Sequence, residues 1–573
     1  MKVLKRLDLR SQQRLAWSGL LIAIIVYIVV MSIEAILRYT TFKATAFDLG
    51  NMDQVIWNTI HGRPFQFTNQ AIDWYGPPNR LAVHVEPILL LISLLYVFHA
   101  DPRILLIFQT LVLAAGAPAV FLLSRRYLPS WPVLALVMSV AYLLSPAILG
   151  INIFDFHPDS LATPLLLFAM LALTYRRYVW FLALCFFACA CKEDMPLAVA
   201  MLGILLIWKY RLPRLGLVLL VGGAIWTYIA FKVVIPHFYT GVLANNFWYR
   251  YETLGSTPAV AIVNLVIHPW LLFTTLLTLQ RIYYVFSLLR STGFLALLAP
   301  EWLLPALPKL ASNILSDNAP NYSGVYHYNA AIVPFVMLGA IHGTRRLIFI
   351  WQGWSRQAIH QDEIELLTGR PAPDTERRAY PVQWIPARVR AFTLRLWLSL
   401  QRSAIRFKPR LLRIVQPAWW FTRWQRVSER MYPFTKKVSP LRLQWVVCIW
   451  LIFAFGLNYF IATPELNSFW ADHLPGAREA QIQQVLDMIP PDASVSASDD
   501  LNPHLTERQL VNVFPSICLD ATCDQIVDYI VVDLDSPTLG NRADAISVLN
   551  GYAKQFRMIA NRGGVELFVR RST

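Results

Sequence analysis

The chain reads as an α-helical polytopic membrane protein of about eleven transmembrane helices that ends in a small α/β domain. Three observations predict this class. Of its 573 residues 56% are apolar and 15% charged, whereas an ordinary soluble domain carries roughly 25% charged residues. Apolar runs close to the ~20 residues needed to cross ~30 Å of hydrocarbon recur along most of the sequence. From residue 463 onward the pattern changes to short alternating strands and helices.

The full-length runs lie at 16–37, 104–123, 131–150, 158–175, 195–210, 214–235, 326–350 and 443–462, with shorter or proline-broken ones at 178–191 and across 281–310. The last of these reads as a pair of helices. Lys2, Lys5, Arg6, Arg10 and Arg14 precede the first run, which is too long for a signal-peptide core and lacks an A-x-A site. It therefore reads as a retained signal-anchor helix with the N-terminus inside. Arg125-Arg126, Arg176-Arg177 and Lys209/Arg211/Arg214 all fall inside only if 84–98, "HVEPILLLISLLYVF", does not cross. At fifteen residues it suits an interfacial or re-entrant helix.

This divides the chain into a membrane domain (1–350), an insert (351–441), a final transmembrane helix (442–462) and an extracytoplasmic α/β domain (463–573). Charge follows the same division. Residues 344–440 hold 19 Lys/Arg against 6 Asp/Glu, and 463–573 hold 8 against 15. The insert interleaves Arg with Leu, Trp and Phe, which suits amphipathic helices on anionic lipid headgroups of the cytoplasmic leaflet rather than nucleic acid. In the tail, an amphipathic helix is expected at 477–489, then strands at 493–498, 510–514 and 529–534, and a hairpin turning at Arg562-Gly563-Gly564. Cys518 and Cys523 lie in this outside domain, where an oxidising compartment favours a disulfide. Cys185, Cys189, Cys191 and Cys448 read as small buried apolar residues.

Polar residues gather at the outer ends of the helices, where an ionisable group next to hydrocarbon is a functional candidate. Asp48 and Asp53 follow the first helix in "FDLGNMDQVIWN"; Asp48 sits where a short interfacial helix begins, so capping and chemistry both remain open for it. Five residues of helix turn about 500°, so Asp53 faces elsewhere and reads as a solvated or structural acid. "FDFHPDS" supplies Asp155, His157 and Asp159, the last following Pro158 as a first-turn acid. "HVE" supplies His84 and Glu86, and "CKED" supplies Lys192, which either pairs with its own acidic neighbours or holds a phosphate. Arg281, His327 and Tyr328 complete the set. A divalent ion such as Mg or Mn is chemically compatible with these acids and histidines, but no spacing is a metal signature. A carboxylate here can act as general base on a hydroxyl while cations stabilise a leaving lipid phosphate. A transporter would gather its charges near the midplane instead, and a non-catalytic subunit or scaffold that binds a protein partner through the tail stays open.

The order of motifs, "FDLGNMDQVIWN", "FDFHPDSLATPLLL", "CKEDMPLAVA", "LLAPEWLLPALPKLASNILS", "YHYNAAIVPF" and "DYIVVDLD", resembles the domain of unknown function 2079 family of polytopic membrane proteins. That family is related to the GT-C glycosyltransferases, and the resemblance covers nearly the whole chain except the insert. It implies a bacterial cytoplasmic membrane location and a sugar transfer from a polyprenyl-phosphate donor at the extracytoplasmic face. By the same resemblance Asp48 takes the position of the first-loop acid and Asp155 or Asp159 that of the second. On the chemistry of the residues, Asp48 is expected as general base or metal ligand, Asp155 and His157 as its assistants, and Lys192, with Arg281 or His327 and with Tyr328, as the donor-phosphate site.

Overall fold

The computed structural model describes residues 8–69, 79–239, 247–352, 356–369, 440–467, 470–519 and 523–571. It forms two compact units, one of residues 1–344 with 447–573 and one of 345–446. The expected basic amphipathic insert falls almost wholly outside the described residues.

Among the described residues five helices are long and apolar enough to cross a membrane: Leu9–Thr40, Pro102–Tyr127, Pro213–Phe238, Val333–Trp351 and Arg442–Ala462. Two bent pairs add to them, Pro132–Leu143 with Pro146–Ile153 at 45° and Pro258–Ile267 with Trp270–Leu276 at 106°. Pro158–Thr174, Tyr178–Cys189 and Met195–Trp208 are shorter apolar helices. Leu21, Ile22, Ile25 and Val26 are exposed on the first helix, as a side facing lipid tails would be.

Two sequence expectations change. The bent pair at 258–276 was not anticipated, because Asn264 and His268-Pro269 interrupt its apolar run. Residues 281–310 form one helix, Leu279–Arg290, followed by 3-10 turns Leu295–Leu298 and Pro300–Ala306 and a short helix Leu307–Ile314, not two spanning helices. Pro300, Pro305 and Pro308 remove backbone donors there, and Gly293 takes a left-handed φ of 59°. Segment 84–98 contains only the short helical pieces Leu89–Ile92 and Ser93–Val97.

The tail carries a five-stranded sheet: β1 (Val495–Ala497), β2 (Val511–Val513), β3 (Tyr529–Asp533), β4 (Phe556–Arg562) and β5 (Val565–Arg570), in the order β2-β1-β3-β5-β4. β1 pairs in parallel with β2 and β3, whereas β5 runs antiparallel to β3 and β4. The helix Ala477–Leu486 buries Ile482, Val485 and Leu486 against one face of the sheet. Helix Arg542–Gly551 packs Ala545 and Leu549 on the other, with Val532 and Phe556. Cys518 and Cys523 are joined in a disulfide.

The tail is fastened to the loop that follows the first helix. Phe42, just past the first helix, is buried in the tail's own core with Leu501 and Leu505. Thr68 Oγ1 donates to the Val511 carbonyl (2.8 Å) and accepts the Val511 N–H (2.9 Å). His504 Nε2 donates to the Tyr39 carbonyl (3.0 Å), and its ring stacks on the Tyr39 ring, 4.1 Å between centroids. Gly50 permits the close approach, since a Cβ there would come within 2.6 Å of Asn69 Nδ2 and 2.9 Å of Asn502 Oδ1.

Candidate functional site

The site starts where the first helix ends. The chain passes through Phe42 at a left-handed φ of 57° and enters a π-helical turn, Ala46–Gly50, before the helix Asn51–Ile60. Asp48 sits inside that turn and caps no helix, so the capping reading is overturned: its Oδ1 lies 3.0 Å from His157 Nε2 and its Oδ2 accepts from Thr45 Oγ1 at 2.9 Å. Asp48 keeps 27% of its side chain accessible, while His157 is buried.

A buried glutamine builds the opposite loop. Gln109, in the helix Pro102–Ala114, donates to the carbonyls of Ile151 and Asp155 (both 2.9 Å) and accepts the His157 N–H (3.0 Å). Asp155 takes a left-handed φ of 31° within this bend, a conformation that costs a non-glycine residue on the order of 1–3 kcal/mol. Its carboxylate offsets that cost by accepting the Thr45 N–H and Oγ1 (both 3.0 Å) and by meeting Arg38 Nε at 3.4 Å. The two acidic loops are thus joined through Thr45.

Electrostatics separate the roles of these groups. Burial would raise the Asp48 carboxyl, but the hydrogen bond and positive charge of His157, then Thr45 and Arg80, hold it below the ordinary value. Burial would lower His157, yet Asp48 outweighs it and raises the imidazole. The two shifts reinforce each other, each group favouring the charged form of its partner. Asp155 moves up, through burial and the nearby Asp48, despite Arg38. His327 stacks on His157 with 3.8 Å between ring centroids and is held neutral, first by burial and then by the positive His157, Lys192 and Lys309. The Nδ1 atoms of both rings are buried without a partner among the described residues.

A shell of cations surrounds this pair. In "CKED" the three charges diverge to three different partners, rather than pairing among themselves as a short charge cluster suggests. Lys192 Nζ reaches Asp159 Oδ2 at 3.4 Å, Glu193 meets His84 Nδ1 at 2.8 Å, and Asp194 meets Lys309 Nζ at 2.5 Å. Burial would lower Lys192, but Asp159, Asp194, Glu86 and Glu193 together raise it, so its ammonium is firmly protonated. Glu86 pairs with Arg80 at 2.8 Å. Burial, then Lys192, holds His84 well below its ordinary value, and its ring stacks on Phe247, over which Arg250 also lies. Lys309 lies 5.6 Å from the centre of the Tyr328 ring.

One expected member, Arg281, is placed elsewhere, and Asp53 is the structural acid of the two readings the sequence leaves open. Arg281 donates to the Ser316 carbonyl (2.7 Å) and Thr278 Oγ1 (3.3 Å) and lies over Tyr322, bonded to none of the residues above. Asp53 is wholly buried, not solvated: it is bonded to the Tyr96 hydroxyl and accepts from Thr506 Oγ1 of the tail at 2.6 Å. Sequence reasoning missed Arg38, Thr45, Arg80, Gln109, Lys309 and Asp499. The carbonyl and carboxylate of Asp499, in the tail, both accept the Ala46 N–H at 3.0 Å. Burial pushes Asp499 up to about 7, with Asp48 and Asp155 contributing. Among the described residues no three His, Cys, Asp or Glu side chains converge as a metal site, and both Asp48 oxygens are already engaged.

Apolar spanning helices that carry a buried polar cluster at the end of several of them define an integral membrane protein with a site at one end of its helices. Residues 38–362 and 419–567 match the model of the predicted membrane protein family known as domain of unknown function 2079, and the chain belongs to that family. No curated protein matches it. Among solved structures it is similar to ArnT from Cupriavidus metallidurans bound to undecaprenyl phosphate, with a TM-score of 0.44 and 14% identity over 97% of this chain and 98% of that one.

Proposed function

We propose that this protein is a GT-C-like glycosyltransferase that moves a sugar from a polyprenyl-phosphate donor to an acceptor at the extracytoplasmic face of a bacterial cytoplasmic membrane. Its N-terminus is inside and its tail domain outside. The observation that carries the reading is the Asp48–His157 ion pair, partly open, beside the buried, protonated Lys192 and its neighbour Lys309. In this reading Asp48 takes the proton of the acceptor hydroxyl as that oxygen attacks the anomeric carbon. The bond from that carbon to the phosphate oxygen breaks, and the polyprenyl phosphate leaves with the electron pair. Lys192 and Lys309, with His327 and Tyr328 alongside, stabilise the phosphate charge. His157 holds Asp48 ionised and oriented, and Asp155 braces the loop through Thr45. Arg281 has no part in it, and no step is routed through a metal ion.

The test is transfer of radiolabelled sugar from polyprenyl-phosphate donors by the purified full chain. Asp48→Asn should lower turnover by about 10²–10⁴-fold, the usual worth of a general base, with an unchanged size-exclusion profile. Unchanged transfer in that variant would remove Asp48 from the mechanism. Stoichiometric capture of a protein partner by a chain with no donor turnover would point to a non-catalytic subunit.

A further inference from the structure

At the far end of the helix that begins beside His157 lies a groove of about 490 Å³, between Ala162–Thr174 and Tyr178–Cys189. Thirteen helical residues place it roughly 20 Å from the Asp48 site. Its floor is apolar, including Leu171 and Leu184, and its rim carries Tyr175, Trp180, Arg176 and Arg177. We propose that this groove binds one anionic phospholipid, an acyl chain along the floor and the headgroup phosphate on Arg176 and Arg177.

Four observations carry the assignment. Trp180 is 67% exposed and Tyr175 52%, amphipathic rings of the kind that settle at headgroup depth. Arg176 closes the helix at a left-handed φ of 57°, the turn at which it and Arg177 both line the groove. Among the described residues, neither Arg176 nor Arg177 has an acceptor for its guanidinium, and no Asp or Glu occurs anywhere in 102–154 or 160–192. Complementing the helix dipole does not account for all this charge, because Arg126 already reaches the Thr174 carbonyl (3.4 Å) while its Nε stays buried without a partner. The groove thus joins an apolar trough to positive charge that the neighbouring sequence leaves unneutralised, and a phospholipid phosphate supplies what is missing.

Native mass spectrometry of the delipidated full chain, titrated in micelles with phosphatidylglycerol or phosphatidylcholine, tests this without reference to any transferase activity. The wild type should retain one phosphatidylglycerol in preference to phosphatidylcholine. R176Q/R177Q should weaken that binding roughly thirtyfold, the worth of two basic groups at an anionic headgroup. A172W, which fills the trough and leaves the charge intact, should also weaken it. R10Q/R14Q removes the same charge away from the groove and should change nothing. Equal retention of the two lipids by wild type, unaltered retention in R176Q/R177Q, or an equal loss in R10Q/R14Q would overturn the proposal. Should R176Q/R177Q not fold, A172W decides.

Discussion

Replacing Asp53 by Asn should strengthen the attachment of the tail domain at alkaline pH and change it little in acid. Burial pushes this carboxyl from 3.8 to about 7, against the hydrogen bonds from Thr506 and Tyr96 and with the help of Asp101. An acid whose folded value lies above its unfolded one holds more protons when folded. Its stabilising contribution is therefore present below about 4 and lost as pH rises through about 7. At about 1.4 kcal/mol per tenfold, the gap corresponds to a cost on the order of 4 kcal/mol for burying the ion. Asn carries no charge and keeps one carbonyl acceptor for two hydroxyls, which returns about 1 kcal/mol of that gain. The net gain at pH 8 is on the order of 1–3 kcal/mol once relaxation of the loosened junction is allowed for.

The amides of Val511 and Ala46 report this directly, because each donates across the junction, to Thr68 Oγ1 and to Asp499. Their hydrogen-exchange protection factors, which correct for the intrinsic effect of pH, should fall in wild type between pH 5 and pH 8. In D53N they should exceed wild type roughly tenfold to a hundredfold at pH 8. A shallower slope should persist, since burial also pushes Glu507 to about 8 and Asp499 to about 7. Protection that is lower in D53N at pH 8, or that rises with pH in wild type, would refute the idea that these acids are buried at cost.

Three further outcomes follow from the same geometry. In D48N the His157 imidazole should fall below its ordinary value, since burial then acts without the carboxylate that raises it; NMR titration of the labelled ring checks this. Gln109→Leu strips partners from the Ile151 and Asp155 carbonyls and the His157 N–H, and should destabilise the chain by about 2–4 kcal/mol, read as a lower thermal midpoint. Gly150→Ala drives a Cβ into the Val325 carbonyl, so it should cost about 1–3 kcal/mol. It should also move His327 off His157, visible as a changed ring-current shift of His157.

How far the sequence exposes all this depends on whether a residue's partner is near it in the chain. The helices and tail strands follow from apolar period and turn residues, which are local, so 9–40, 213–238 and the hairpin at Arg562-Gly563-Gly564 are readable directly. Candidate site residues are legible for a different local reason: Asp48, Asp155, His157 and Lys192 are ionisable groups beside hydrocarbon, costly enough to attract notice singly. Pairing is not local. Nothing within "CKED" indicates that its charges reach Asp159, His84 and Lys309, and helical geometry correctly turns Asp53 away from Asp48 without revealing that Thr506, 453 positions later, covers it. Gln109 is hidden for the opposite reason, as one uncharged amide in an apolar run that looks merely tolerated. The tail is where this matters most. Read alone it is a small α/β domain without a phosphate loop, yet Asp499 grips the turn that carries Asp48, and Phe42 completes the tail's core. Separating the two would leave the Ala46 amide without its partner and Asp53 with Tyr96 alone, so the turn that positions Asp48 is held jointly by the membrane helices and by the tail.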